Sequence, residues 1–130
     1  MNRQEWVEEF DALTLKMRCI MIAKNSDYAN QDNNPFSNFE RVETLGIART
    51  EVGFLTRMTD KLCRINSFVQ KGELAVKDES VQDTLLDLAN YSLLMIGYLK
   101  SKKKDGIAVG PIVFGDPTII PGTKATIVGY

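Results

Sequence analysis

Apolar residues recur at helical spacing from the start of the chain. Trp6, Phe10, Leu13, Met17, Ile20 and Met21 lie three or four positions apart, which puts them on one face of a helix predicted over residues 3–25. Lys24 continues the same stripe, so a charge emerges where the apolar face ends. Residues 26–35 (SDYANQDNNP) are dense in turn formers and predict a polar loop. The stretch FSNFERVETLG predicts a short helix or turn that stops near Gly46. A further helix is predicted over residues 48–70, where Leu55, Met58, Leu62, Ile65 and Val69 follow heptad-like spacing and Gly72 marks the end. Asp78 is placed to cap a last long helix reaching about residue 102, with Glu79 and Ser80 in its first turn and lysines at its end. Beyond residue 104 the chain turns to β-branched residues with Gly-Asp-Pro and Pro-Gly punctuation, which reads as two or three short strands. Those are too few for an independent sheet. The predicted fold is mainly α: an antiparallel helical bundle core (residues 1–104) that holds the site, and a short β-rich C-terminal appendage (residues 105–130) packed on the body or on a partner subunit.

The last long helix carries the most unusual pattern. Between residues 81 and 99 its only charges are Asp83 and Asp87. At about 100° per residue, Glu79, Asp83, Asp87, Asn90 and Leu94 form one narrow row, and leucines, Ala89 and Ile96 fill most of the remaining circumference. A helix apolar nearly all round is buried, and buried carboxylates need a partner, a proton or a cation. Three arrangements satisfy the row. It pairs with Arg57, Lys61 or Arg64 on the facing helix or opens to solvent; it holds Mg²⁺ or Mn²⁺, which favour oxygen ligands; or it recognises groups of a ligand directly. Glu51 falls within the apolar stripe of its own helix, so it is expected either to point inward toward those acids, as in helical carboxylate metal sites, or to interact with the helix dipole.

Arg57, Asp60, Lys61 and Arg64 share the face opposite Leu55, Leu62 and Val69. They read as a solvated face with local ion pairs or as a phosphate clamp, with Arg supplying a planar fork and Lys a point charge. In the first loop Lys24, Asp27 and Tyr28 look like part of a site, with Tyr28 available to stack on a base. Asn34 and Asn38 supply amide groups, and Phe36 and Phe39 apolar faces; the local alternatives are Asx-turns, capping and a hydrophobic staple.

Composition narrows the chemistry. A chain of 130 residues is one domain. Its net charge of −1 gives no long-range attraction to DNA, RNA or anionic lipid, so no stable nucleic-acid or membrane partner is expected. There is no histidine, which removes imidazole-based zinc sites and Ser-His-Asp machinery. Cys19 and Cys63 fall in helical patterns and are expected to be reduced core thiols. The N-terminus MNRQEWVEEF lacks signal-peptide order, and the uncharged stretch 88–99 is too short to span a bilayer, so a cytoplasmic location is expected. Neither G-x-G-x-x-G nor G-x-x-x-x-G-K-[ST] is present, which excludes Rossmann and P-loop phosphate sites.

The blocks KNSDYA (24–29), NPFSNF (34–39), RMTDKLCRI (57–65) and DESVQDTLLDLANY (78–91) occur in this order. Together they resemble the nucleotide modification associated domain family, small helical proteins of phages and some bacteria, over about residues 10–100. There is a looser similarity to the all-alpha MazG-like nucleoside triphosphate pyrophosphatases, which hold Mg²⁺ on an E-x-x-E and a later E-x-x-D. Here Glu51 has no acid three residues on, and Asp83 and Asp87 are spaced by four. The resemblance implies a nucleotide ligand and, for a phage protein, the host cytoplasm. On that footing the expected function is a Mg²⁺-dependent nucleotide phosphohydrolase or pyrophosphatase, with Mg²⁺ (or Mn²⁺) on Glu79, Asp83 and Asp87, Glu51 and Asp83 catalytic, and Lys24, Asp27, Tyr28, Asn34, Phe36, Asn38, Arg57, Asp60, Lys61 and Arg64 around the nucleotide. The alternatives are a non-catalytic protein that sequesters a nucleotide signal of host immunity, and a structural or assembly subunit. A homo-oligomer, most simply a dimer, is expected because the last helix is more apolar than two neighbours can cover.

Overall fold

A computed structural model of the protein describes residues 1–28, 33–73 and 80–106, with the side chains of Asp27 and Tyr28 not included. These residues form four helices: α1 (Arg3–Tyr28), α2 (Ser37–Thr44), α3 (Thr50–Lys71) and α4 (Val81–Lys104). α3 and α4 are the central pair, α2 packs on α3, and α1 packs on α4. The mainly helical expectation holds. The expected C-terminal strands lie, from residue 107 onward, outside the described residues; 105 and 106 form the turn that ends α4.

The helix ends follow from local chemistry. Gly46 and Gly72 end α2 and α3 in the left-handed conformation at φ 72° and 76°, where a Cβ would cost energy. α3 begins without a side-chain cap of its own. Glu43 of α2 supplies it, accepting from Thr50 N at 3.0 Å and Thr50 Oγ1 at 2.6 Å. The cap of α4 is Ser80, not Asp78: Ser80 Oγ accepts from Asp83 N at 3.1 Å and donates to Asp83 Oδ2 at 2.7 Å. Serine wins because its short hydroxyl reaches the third helical amide, and Asp83 braces it in return.

An aromatic cluster joins α2, α3 and α4. Phe39 stacks on Phe54 with centroids 3.9 Å apart, Tyr91 meets Phe39 edge-on at 5.7 Å, and Tyr98 contacts both Phe54 and Phe36. The stack needs Gly53: a Cβ there would lie 3.0 Å from the Phe39 carbonyl oxygen and from Val42 Cγ2. Burial of Tyr98, with Glu51, Glu43 and Glu40 nearby, pushes its phenol up to about 12 despite a hydrogen bond with Thr50.

The apolar stripes are not buried as periodicity suggests. Trp6 and Phe10 are exposed, and α1 meets the body through Leu13, Met17, Ile20 and Met21. Leu55, Leu62 and Val69 of α3 are exposed, whereas Glu51, Phe54 and Lys61 are buried. α3 is therefore rotated from its heptad reading, because the Phe39–Phe54 stack and the acid at Asp87 set which face turns inward. α4 leaves Leu85, Leu93 and Ile96 exposed. Cys19 and Cys63 are free and exposed rather than in the core. No described helix is long and apolar enough to cross a membrane.

Candidate nucleotide cleft

α4 brings its acidic row against lysines from two other helices. Asp87 Oδ1 accepts from Lys24 Nζ at 2.7 Å and Asp87 Oδ2 lies 2.9 Å from Lys61 Nζ. Asp87 and Lys61 are buried, and Lys24 is half exposed. One helical turn earlier, Asp83 Oδ1 pairs with Lys16 at 3.2 Å while Oδ2 accepts from Ser80. One turn on, Asn90 Nδ2 donates to the Met17 carbonyl at 3.0 Å. The row thus serves as the polar seam between α4 and its neighbours. Burial raises the Asp87 carboxyl, but hydrogen bonds from Lys24 and then Lys61 outweigh it and hold it below the ordinary range. Asp83 is held low by its bonds with Ser80 and Lys16.

This geometry fits a divalent cation poorly. All four oxygens of Asp83 and Asp87 are engaged, and the ammonium groups beside them repel a second cation. Among the described residues no three acidic, cysteine or histidine side chains are grouped to hold a metal; Glu79 lies outside them. Glu51 is buried beside Arg49 at 3.2 Å, within the field of Tyr98. Fifteen residues separate Asp83 from Tyr98 on α4, a rise of roughly 22 Å, so Glu51 and Asp83 sit at opposite ends of the helix pair.

Asp87 also lines a small open cleft among α1, the loop before α2, α3 and α4. Of the residues singled out from sequence, Lys24, Asn34, Asn38, Arg57 and Asp87 line it. Lys61 supports it from behind through Asp87. The Arg57 guanidinium lies 3.4 Å from Asn38 Oδ1, and its side chain is exposed. Asn34 is spent locally: its Oδ1 accepts from Phe36 N at 2.9 Å and its Nδ2 donates to Glu40. Phe36 packs on Tyr98 instead of facing the cleft. Asp60 and Arg64 form an i,i+4 ion pair at 3.6 Å and do not line the cleft. Asp27 and Tyr28 lie in the last turn of α1, with side chains outside the described set.

Phe39, expected from the sequence to offer an apolar face, also lines the cleft; the sequence reading assigned no ligand role to Asn25, Ser37 or Tyr91, which line it too. Tyr91 and Asn90 follow Asp87 by four and three residues, so the helical row itself held the signal for them.

Residues 37–98 match the family model of nucleotide modification associated domain 1. The match begins after the KNSDYA block, so Lys24, in α1 and not in the expected loop, lies outside it. The looser MazG-like similarity was not confirmed. Searches of curated proteins and of solved structures gave no match.

Proposed function

We propose, from the match of residues 37–98 to the model of nucleotide modification associated domain 1, that the cleft binds a nucleotide and holds it without cleaving it. The observation that carries the reading is the composition of the cleft wall. Arg57 brings an exposed guanidinium beside the paired Lys24 and Asp87, Asn25, Asn38 and Asn90 bring amide edges, and Tyr91 with Phe39, Met21 and Leu94 brings aromatic and apolar surface. A phosphate needs the first, a base edge the second and a base face the third.

Retention is favoured over Mg²⁺-dependent phosphohydrolysis by the pairing of the acids. Metal-bound water chemistry on Asp83 and Asp87 requires both to give up Lys16, Ser80, Lys24 and Lys61. A binder needs no such rearrangement, and sequestration of a nucleotide signal is the use it suits.

The test is a nucleotide panel screened by thermal shift with and without Mg²⁺, followed by chromatography of the bound nucleotide. A ligand at a hundred times its Kd stabilises the native state by about 2.7 kcal/mol, a shift of several degrees. The expected result is such a shift, independent of Mg²⁺, abolished in Tyr91→Ala and accompanied by recovery of the unaltered nucleotide. Phosphate or pyrophosphate released only with Mg²⁺ would establish the phosphohydrolase instead. No shift with any nucleotide would sink both readings.

A further inference from the structure

On the side of the α3–α4 pair away from the cleft lies a broad surface with no charge. Over residues 52–70 of α3 the charged residues are Arg57, Asp60, Lys61 and Arg64. At about 100° per residue all four fall on the half of the helix that turns toward α2 and the cleft. Leu55, Leu62 and Val69 run down the other half, 45%, 54% and 74% exposed. Between residues 84 and 99 of α4 the single charge is Asp87, which faces the lysines. Leu85 and Ile96 lie on the opposite side of that helix, each about half exposed.

We infer that this face is the interface with a second copy of the chain, formed by stacking the two α3–α4 pairs about a two-fold axis. Three observations choose that occupant. First, α3 carries two apolar seams: Phe54, Met58 and Ile65 turn toward the body, while Leu55, Leu62 and Val69 repeat every seven residues on the outside. A seven-residue apolar repeat is the pattern that seats one helix against another. Second, the face is uncharged, and an isologous contact sets each residue group near its own copy, so a surface without like charges is self-complementary. Third, the area suffices. Seventeen residues of helix at 1.5 Å each, two helices wide, give a footprint of about 500 Å². Counted on both partners that is about 1,000 Å², the lower bound for a specific interface. Among the described residues the large apolar side chains that are buried are Phe39, Phe54, Leu86 and Tyr98, and five of the fourteen exposed ones, Leu55, Leu62, Val69, Leu85 and Ile96, lie on this face.

The experiment is sedimentation of the full chain at micromolar concentrations. Wild type is expected near 29 kDa, twice the 14.6 kDa chain. Leu62→Glu and Ile96→Glu each place a charge on the two-fold face and are expected to raise the dimer Kd at least about a hundredfold, a loss of about 2.7 kcal/mol. Both sites are about half exposed, so the helical circular dichroism should persist in the variants. Ile47→Glu, at an exposed apolar residue after α2, is the control and should leave the dimer intact. A monomeric wild type overturns the inference, including the case in which residues 107–130 cover the face. A dimer that survives both Leu62→Glu and Ile96→Glu overturns it equally. If either variant proves unfolded, a thiol-specific crosslinker at Cys63, exposed on the same half of α3, decides the matter in a Cys19→Ala chain, which removes the other exposed thiol: it should join two such chains, and failure to do so counts against the face.

Discussion

The Nζ of Lys61 lies 2.9 Å from Oδ2 of Asp87, with the two side chains 10% and 11% exposed. This contact is the hinge between the structural and functional roles of the acidic row. Asp87 lines the cleft, yet its carboxylate also neutralises a buried lysine from α3 and a half-exposed one from α1. Removing the charge therefore has a cost to stability. Asp87→Asn leaves Lys61 buried without this counter-ion and is expected to destabilise the fold by about 3 kcal/mol, the low end for breaking a buried pair. Urea unfolding measures it. Asp83→Asn, whose partner Lys16 is exposed, should move the midpoint much less. Equal, small losses at both positions would mean that Lys61 finds compensation elsewhere.

The same pair sets a pH dependence. The Asp87 carboxyl is held below its ordinary value of 3.8, since hydrogen bonds from Lys24 and Lys61 outweigh burial. The unfolded chain then takes up the proton before the folded one does. The stabilisation is complete above about pH 5 and is lost progressively as pH falls below the ordinary value and through the folded-state value. Unfolding free energies measured from pH 7 to pH 3 should be flat and then fall, and Asp87→Asn should flatten the fall. An unchanged slope in the variant would assign acid sensitivity to other carboxylates.

Gly53 sits where α2 crosses α3. An added methyl would lie 3.0 Å from both the Phe39 carbonyl and Val42 Cγ2. Alanine is the better helix former by about 1 kcal/mol, but overpacking of this kind costs typically 1–3 kcal/mol. Gly53→Ala should therefore be net destabilising by up to about 2 kcal/mol, and the Phe39–Phe54 stack should loosen. A rise in unfolding midpoint would show that α2 can shift without penalty.

Nucleotide affinity should separate the basic residues of α3. Arg57 lines the cleft and Arg64 does not. Replacing a planar fork by a point charge weakens a phosphate contact, and charge-assisted bonds contribute roughly 1.5–3 kcal/mol. Arg57→Lys is expected to weaken binding about tenfold in a calorimetric titration, while Arg64→Lys leaves it unchanged. Comparable losses at both would extend the site along the whole basic row.

Much of the helical architecture was legible in the chain itself. The ends of α2 and α3 at Gly46 and Gly72 followed from the left-handed backbone that glycine alone adopts cheaply, and the elements followed from apolar spacing, both properties of neighbouring residues. The sequence left Glu51 open between an inward position and a dipole partner; it is buried beside Arg49 although Leu55, Leu62 and Val69 of its stripe are exposed. What the sequence left open was every choice between two faces of one helix. Leu55, Leu62 and Val69 form a regular row and so do Phe54, Met58 and Ile65, and periodicity gives both equal standing. Only tertiary packing decided between them, since Gly53 lets α2 approach from one side and Asp87 draws Lys61 inward. The cap of α4 was decided by reach: Asp78 and Ser80 are both good capping residues, and the one whose oxygen meets the Asp83 amide is Ser80. The acidic row stood equally for a metal or for ion pairs, because the lysines that answer it come from positions 63 and 67 residues away for α1. Such partners meet only once the helices are packed.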